Sequence, residues 1–114
     1  MSIKVLSPVG DFDSLHAAIN NGADEVYLGI SGFNARNNIE GFNLENIKLA
    51  IDKAHLYSVR VFLAINILFS NSELQNALNT IIDAYNLGVD AFIIQDLGLA
   101  HLLHTNYDYG AGTL

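Results

Sequence analysis

The sequence predicts an α/β fold built on a parallel sheet, and three observations lead there. Short apolar runs at residues 3–6, 26–28, 59–65 and 91–94 alternate with stretches whose apolar residues recur at helical spacing. Glycines close two of the helical stretches, at Gly22 and Gly88. The run at 59–65 is almost continuously apolar, as a strand covered on both faces is. Right-handed crossovers leave two arrangements for such a chain, an open doubly wound sheet or a barrel, and periodicity does not choose between them.

Taken in order, the first strand is expected at residues 3–6, with Ser7-Pro8-Val9-Gly10 as the turn that follows. Asp11 is placed to cap the first helix, on which Phe12, Leu15, Ala18 and Ile19 share a face, and Gly22 ends it. The second strand, residues 26–28, holds Tyr27, which is expected in the core. A polar stretch from 29 to 42 follows, well beyond the 2 to 6 residues usual for a loop between strand and helix, and loops of that length tend to carry function.

Asn43 is placed to cap the second helix, where Leu44, Ile47, Ile51 and Ala54 oppose a face of Glu45, Lys48, Asp52 and Lys53. After the third strand, Ser70 and Glu73 have capping-box spacing. Leu74, Ala77, Leu78, Ile81, Ile82 and Tyr85 are the expected buried stripe of the third helix, and Gly88 its end. A fourth strand at 91–94 and a short helix over 97–104 complete the pattern. There is also an internal echo: Asn21-Gly22-Ala23-Asp24-Glu25-Val26 resembles Leu87-Gly88-Val89-Asp90-Ala91-Phe92, 66 residues on. In both copies glycine stops a helix and aspartate precedes a strand.

The 114 residues are within one domain and are half hydrophobic, ample for a packed core. A formal charge of −7 with five Lys and Arg leaves no basic stripe, so nucleic-acid binding is not evident from this segment. With no cysteine, disulfides, a thiol nucleophile and thiolate-held metals are excluded within these residues, which fits a cytoplasmic protein. No run of about 18 apolar residues predicts a membrane span.

In either parallel-sheet fold the ligand site lies at the C-terminal ends of the strands. That rule selects Gly10 after strand one, Asn34 and Arg36 in the long loop, Asn66 after strand three, and Gln95 and Asp96 after strand four. A rim of amides with one guanidinium and one carboxylate suits a small anionic ligand, because Arg grips a carboxylate bidentately while amides fix orientation. Each residue also has a plainer role open to it: Arg36 beside Glu40 in its own loop, Asn66 satisfying backbone groups at a strand end, Asp96 capping the last helix. His101 and His104 share a helical face, but without neighbouring carboxylates no metal site is expected. No Ser/His/Asp set and no HExxH is present to support proteolysis.

Four pieces in order, Leu6-Ser7-Pro8-Val9-Gly10, Gly22-Ala23-Asp24-Glu25-Val26-Tyr27-Leu28-Gly29, Phe33-Asn34-Ala35-Arg36 with Gly41-Phe42, and Gln95-Asp96-Leu97-Gly98, resemble the collagenase-like peptidase family. The resemblance implies the barrel: a partial (β/α) barrel of the TIM type, the first four βα units with parallel strands. It further implies a longer protein with a later cysteine-containing signature and, in many members, an iron–sulfur cluster on later cysteines, so no cofactor is expected within this chain. Members are labelled peptidases or act as hydroxylation proteins on tRNA, rRNA or the ubiquinone ring, some with prephenate as the implied hydroxyl donor. On this resemblance residues 1–114 are expected to be the N-terminal half of the barrel, cut short in strand five near 109–114, supplying substrate-binding rim residues without the reactive centre. The alternative is a non-catalytic half barrel that self-associates, since four strands leave two bare edges for a homo-oligomer to pair.

Overall fold

The computed structural model describes residues 3–30, 41–65 and 70–106. Four strands, β1 (Leu6–Pro8), β2 (Glu25–Leu28), β3 (Arg60–Ile65) and β4 (Ala91–Ile94), alternate with four helices. These are α1 (Phe12–Asn20), α2 (Ile47–Leu56), α3 (Asn71–Leu87) and α4 (Leu97–Asn106). The strands form one sheet in the order β1-β2-β3-β4, every pair parallel. This is an α/β fold whose strand order follows the chain.

Alternation along the strands divides the sheet into two unlike faces. Val26, Leu28, Val61, Leu63, Ile65, Phe92 and Ile94 point one way and are buried in a single core. Leu15 of α1, Ile47, Ala50, Ile51 and Ala54 of α2, Ala77, Leu78, Ile81 and Ala84 of α3, and Leu99 and Leu103 of α4 fill that same core. The helices pack in chain order, each on the next, so all four cover one face of the sheet. The registers Pro8↔Tyr27, Tyr27↔Phe62, Phe62↔Ala91 and Ala64↔Ile93 place those side chains in rows on the opposite face. Tyr27, Phe62 and Ile93 lie outside the core cluster and are half-exposed.

Three expectations are corrected here. The first strand lies at Leu6–Pro8, later than residues 3–6, and Ile3 is 85% exposed. The pairing with β2 decides this: Val5 and Val9 turn their backbone groups toward β2, whereas Pro8, with no N–H to give, falls where its nitrogen faces the sheet edge. Tyr27 belongs to the open face, not to the core, because its neighbours Val26 and Leu28 take the helix side. Tyr85 is 46% exposed and Ala84 takes the buried place beside Ile81, so the stripe of α3 is rotated by one residue at its end.

Local signals set the helix ends. The Asp11 carboxylate accepts the Ser14 N–H at 2.7 Å. Asn43, expected to cap the second helix, instead closes the turn before it, its Oδ1 accepting from the Glu45 and Asn46 N–H groups; the helix begins at Ile47 with Asn46 in the cap position. The capping box of α3 is present, with the Glu73 carboxylate accepting from both the Ser70 N–H and hydroxyl. At the other end Gly88 stands at φ 112° and Gly22 at φ 86°, conformations that L side chains resist.

The repeated motif has a structural meaning. The Asp24 carboxylate, one residue before β2, accepts the Val5 N–H at 2.7 Å. Asp90, one residue before β4, accepts the Val61 N–H at 2.7 Å. Each aspartate therefore ties the entrance of its strand to that of the strand before, in the pairs β1/β2 and β3/β4.

Candidate functional site

Parallel strands end together, so the C-terminal ends of β1, β2, β3 and β4 and the N-termini of the helices that follow them lie at one edge of the sheet. Gly10 is exposed immediately after β1, past Val9, whose N–H donates to the Tyr27 carbonyl at 2.9 Å. Gln95 follows β4; its N–H reaches the Ile65 carbonyl at 3.2 Å, extending the β3/β4 pairing, and its side chain is exposed. Leu97 stands beside it, also exposed. Of the six residues selected from the sequence, Gly10, Gln95 and Asp96 are brought to this edge. Asn34, Arg36 and Asn66 lie outside the described residues.

Asp96 differs from its neighbour. It is buried, and its Oδ1 accepts the Leu99 N–H at 2.9 Å while its carbonyl accepts from Ala100. The capping role open to it from sequence is thus made. Gly98 explains part of the motif that surrounds it: a Cβ there would sit 3.1 Å from Asp96 Oδ1, so the glycine leaves room for the carboxylate to fold back over the first turn.

The carboxylates at this edge are engaged with helix ends. Hydrogen bonds from the Ser14 backbone and side chain hold the Asp11 carboxyl below its ordinary range, outweighing slight desolvation. The Ser70 hydroxyl and N–H do the same for Glu73. Helix N-termini carry partial positive charge, which favours these carboxylates where they stand.

The long loop after β2 is rooted firmly. Ile30 and Phe42 bridge one another in parallel fashion, and both are buried. The Phe12 ring meets Phe42 edge-on at 5.1 Å between centroids. Sequence reasoning treated 29–42 as a polar loop and missed these two anchors, although an Ile and a Phe flanking a run of Ser, Gly and Asn are a legible signal of a closed loop base. Tyr27 was missed as well: it is the last side chain of β2 on the open face, and only the register against Pro8 and Phe62 reveals that.

No group of three or more His, Asp and Glu is placed to hold a metal among the described residues, His101 and His104 included. No helix there is long and apolar enough to cross a membrane.

The model of the family described as Peptidase family U32 matches residues 10–109. The chain belongs to peptidase family U32. Among relatives of this U32 chain, the 23S rRNA 5-hydroxycytidine C2501 synthase of Escherichia coli K12 is 39% identical over 100 residues, covering 88% of this chain and 15% of that protein. The tRNA hydroxylation protein P of Helicobacter pylori is 40% identical over 101 residues, covering 88% and 24%. A protein of Porphyromonas gingivalis named collagenase is 29% identical over 104 residues, covering 90% and 25%. The U32 chain thus spans between 15% and 25% of the length of these relatives. The solved U32 peptidase Mk0906 superposes with a TM-score of 0.71 at 16% identity, over 94% of this chain and 46% of that one, a likeness of fold.

Proposed function

We propose that these residues form the first half of a closed (β/α) barrel in a U32 protein of the RNA-hydroxylation kind. In this reading the strand-end rim of Gly10, Asn34, Arg36, Asn66 and Gln95 binds a small anionic co-substrate, Asp96 holds the start of α4 beside it, and the reactive centre belongs to a later part of the longer family members. The observation that carries it is the unlike pair of sheet faces. A doubly wound sheet places helices on both sides, whereas here all four helices cover one face and leave apolar Tyr27, Phe62 and Ile93 on the other. Such a face suits a barrel interior.

The RNA-hydroxylation branch is supported by relatives named for rRNA and tRNA modification at 39% and 40% identity, while relatives named protease and collagenase, at 34% and 29%, overlap the 29–32% of other tRNA hydroxylation proteins. With a formal charge of −7, this segment is a poor surface for RNA, so RNA contacts fall to other parts of the longer proteins. In the rim, Arg36 supplies the charge for an anion, the amides of Asn66 and Gln95 supply orientation, and Gly10 supplies close backbone approach. Any iron–sulfur cluster would be held by cysteines outside this chain, which has none.

Calorimetric titration with prephenate, a ring bearing two carboxylates, tests the rim. Saturable binding that Arg36→Ala weakens by about tenfold or more is expected, the worth of a charge-assisted contact. Absence of binding by the unaltered chain would remove the rim assignment from this half of the barrel.

A second reading has its own support in the same open face and in the bare outer edges of β1 and β4 among the described residues. It is a half barrel that associates with a second copy, whose test is given below.

A further inference from the structure

We infer that a second copy of this chain closes the sheet, its β1 pairing in parallel with β4 of the first copy in the register Leu6↔Ile93; the inference rests on the self-association reading and gives that assembly its geometry. The chain is built of two equivalent halves. Asp24 accepts the Val5 N–H and Asp90 the Val61 N–H, both at 2.7 Å, so Val5 corresponds to Val61 and Asp24 to Asp90. The strand registers agree, since Leu6↔Glu25 in the first half becomes Phe62↔Ala91 in the second. The halves are joined by the β2/β3 ladder, in which Tyr27 pairs with Phe62 and Glu25 with Arg60. Continued by the same correspondence, that interface sets Ile93 against Leu6, and Ala91 against Lys4, of the second copy. The bond from the Arg60 N–H to the Asp24 carbonyl becomes one from Lys4 to Asp90.

The outer edges are oriented for it. Bonds from Glu25 to the Val5 carbonyl and from Val9 to the Tyr27 carbonyl turn the backbone groups of Leu6 and Pro8 outward, and the bond from Gln95 to the Ile65 carbonyl turns those of Ile94 outward. Pro8 stands where the second half has Ala64 and withholds one donor from the new ladder. The register also closes a ring. The row Pro8, Tyr27, Phe62, Ala91 leads to Lys4 of the second copy, four residues before Pro8. Two copies double that displacement to eight, the shear of eight-stranded β/α barrels. A slip of two residues at the junction would make it four or twelve. Leu6, 43% exposed, then packs on Ile93, and a two-fold rotation covers both bare edges and the Tyr27 and Phe62 face at once.

The chain has no cysteine, so single-cysteine variants report only on the junction. Within one copy residues 6 and 93 stand three strands apart, roughly 14 Å, beyond disulfide reach. Leu6→Cys chains are mixed with Ile93→Cys chains, or with Ala91→Cys chains for the slipped register, and oxidised mildly, while light scattering gives the mass of the unaltered chain. A two-chain mass is expected, with the 6–93 disulfide forming about tenfold or more faster than 6–91. In the unaltered chain, hydrogen exchange should show the Leu6 and Ile94 amides gaining protection as the two-chain species forms, a readout that needs no variant. Association without that protection, with 6–91 linked as fast as 6–93, or with a mass above two chains would overturn the pairing and leave self-association standing. A strictly monomeric chain would overturn both.

Discussion

The chain reversals after three helices are made by different residues, and the differences can be measured. Gly88 stands at φ 112°, and a Cβ there would meet Ile51 Cγ2 at 3.2 Å, so Gly88→Ala adds crowding to backbone strain. A loss of about 2 kcal/mol is expected in urea unfolding. Gly22, at φ 86°, has nothing within 4 Å of a built Cβ, so Gly22→Ala should lose only the strain, about 1 kcal/mol. Ser58 after α2 holds φ 60° without being glycine. Ser58→Gly removes roughly 1–2 kcal/mol of left-handed strain against an entropic cost of about 0.5–1, and a net gain of about 0.5–1 kcal/mol is expected. Equal melting curves for Gly22→Ala and Gly88→Ala would dispose of the crowding argument.

The caps bring a pH dependence. Asp11 and Glu73 both have folded values below their ordinary ones, so each contributes stability that is complete above the ordinary carboxylate range. It is lost as pH falls from that range through the lowered folded values. Acid should therefore loosen the starts of α1 and α3, seen as reduced protection of the Ser14 and Ser70 amides against exchange. Asp11→Asn and Glu73→Gln should each flatten that dependence at their own helix.

Between elements, the repeated aspartates do the joining. Asp90 Oδ2 accepts the Val61 N–H and also meets His55 Nε2 at 2.7 Å, so one carboxylate binds the end of α2, the entrance of β3 and the approach to β4. Asp24 makes the equivalent backbone bond to Val5 without a histidine. These contacts lie at the N-terminal ends of the strands, opposite the candidate site, where such residues serve stability. Asp90→Ala strands two partners and should cost about 1–3 kcal/mol, more than Asp24→Ala, whose orphaned N–H is exposed to water. Thermal unfolding of both variants checks the order; the reverse would mean that the Asp24 tie between β1 and β2 contributes more stability than the Asp90 one.

Across the whole molecule, the open face sets the behaviour of the isolated chain. Tyr27, Phe62 and Ile93 are half-exposed there, Arg60 lies over the Phe62 ring at 5.1 Å and pairs with Glu25 at 3.1 Å, and the outer edges of β1 and β4 are bare among the described residues. Apolar surface and open edges together favour association. Light scattering coupled to size exclusion should show mass rising with concentration. A strictly monomeric sample with a sharp, concentration-independent melting transition would defeat the second reading.

The alternating pattern, the caps at Asp11 and Ser70 and the stops at Gly22 and Gly88 were determined by the sequence alone, because each rests on chemistry within a few residues of chain. The position of Gly10, Gln95 and Asp96 just past the strand ends was also legible, since parallel strands must end at one edge once their order is known. Only the tertiary structure decided which face each side chain takes. Alternation gives two faces but no label, and it was the packing of four helices on Val26 and Leu28 that sent Tyr27 to the other side. Where β1 begins was likewise settled by pairing, since residues 3–6 are apolar enough for a strand but only Leu6–Pro8 finds partners in β2. Asp96 shows the same limit from the other direction: its sequence position allowed both ligand and cap, and the bond to Leu99 is a fact of three-dimensional geometry.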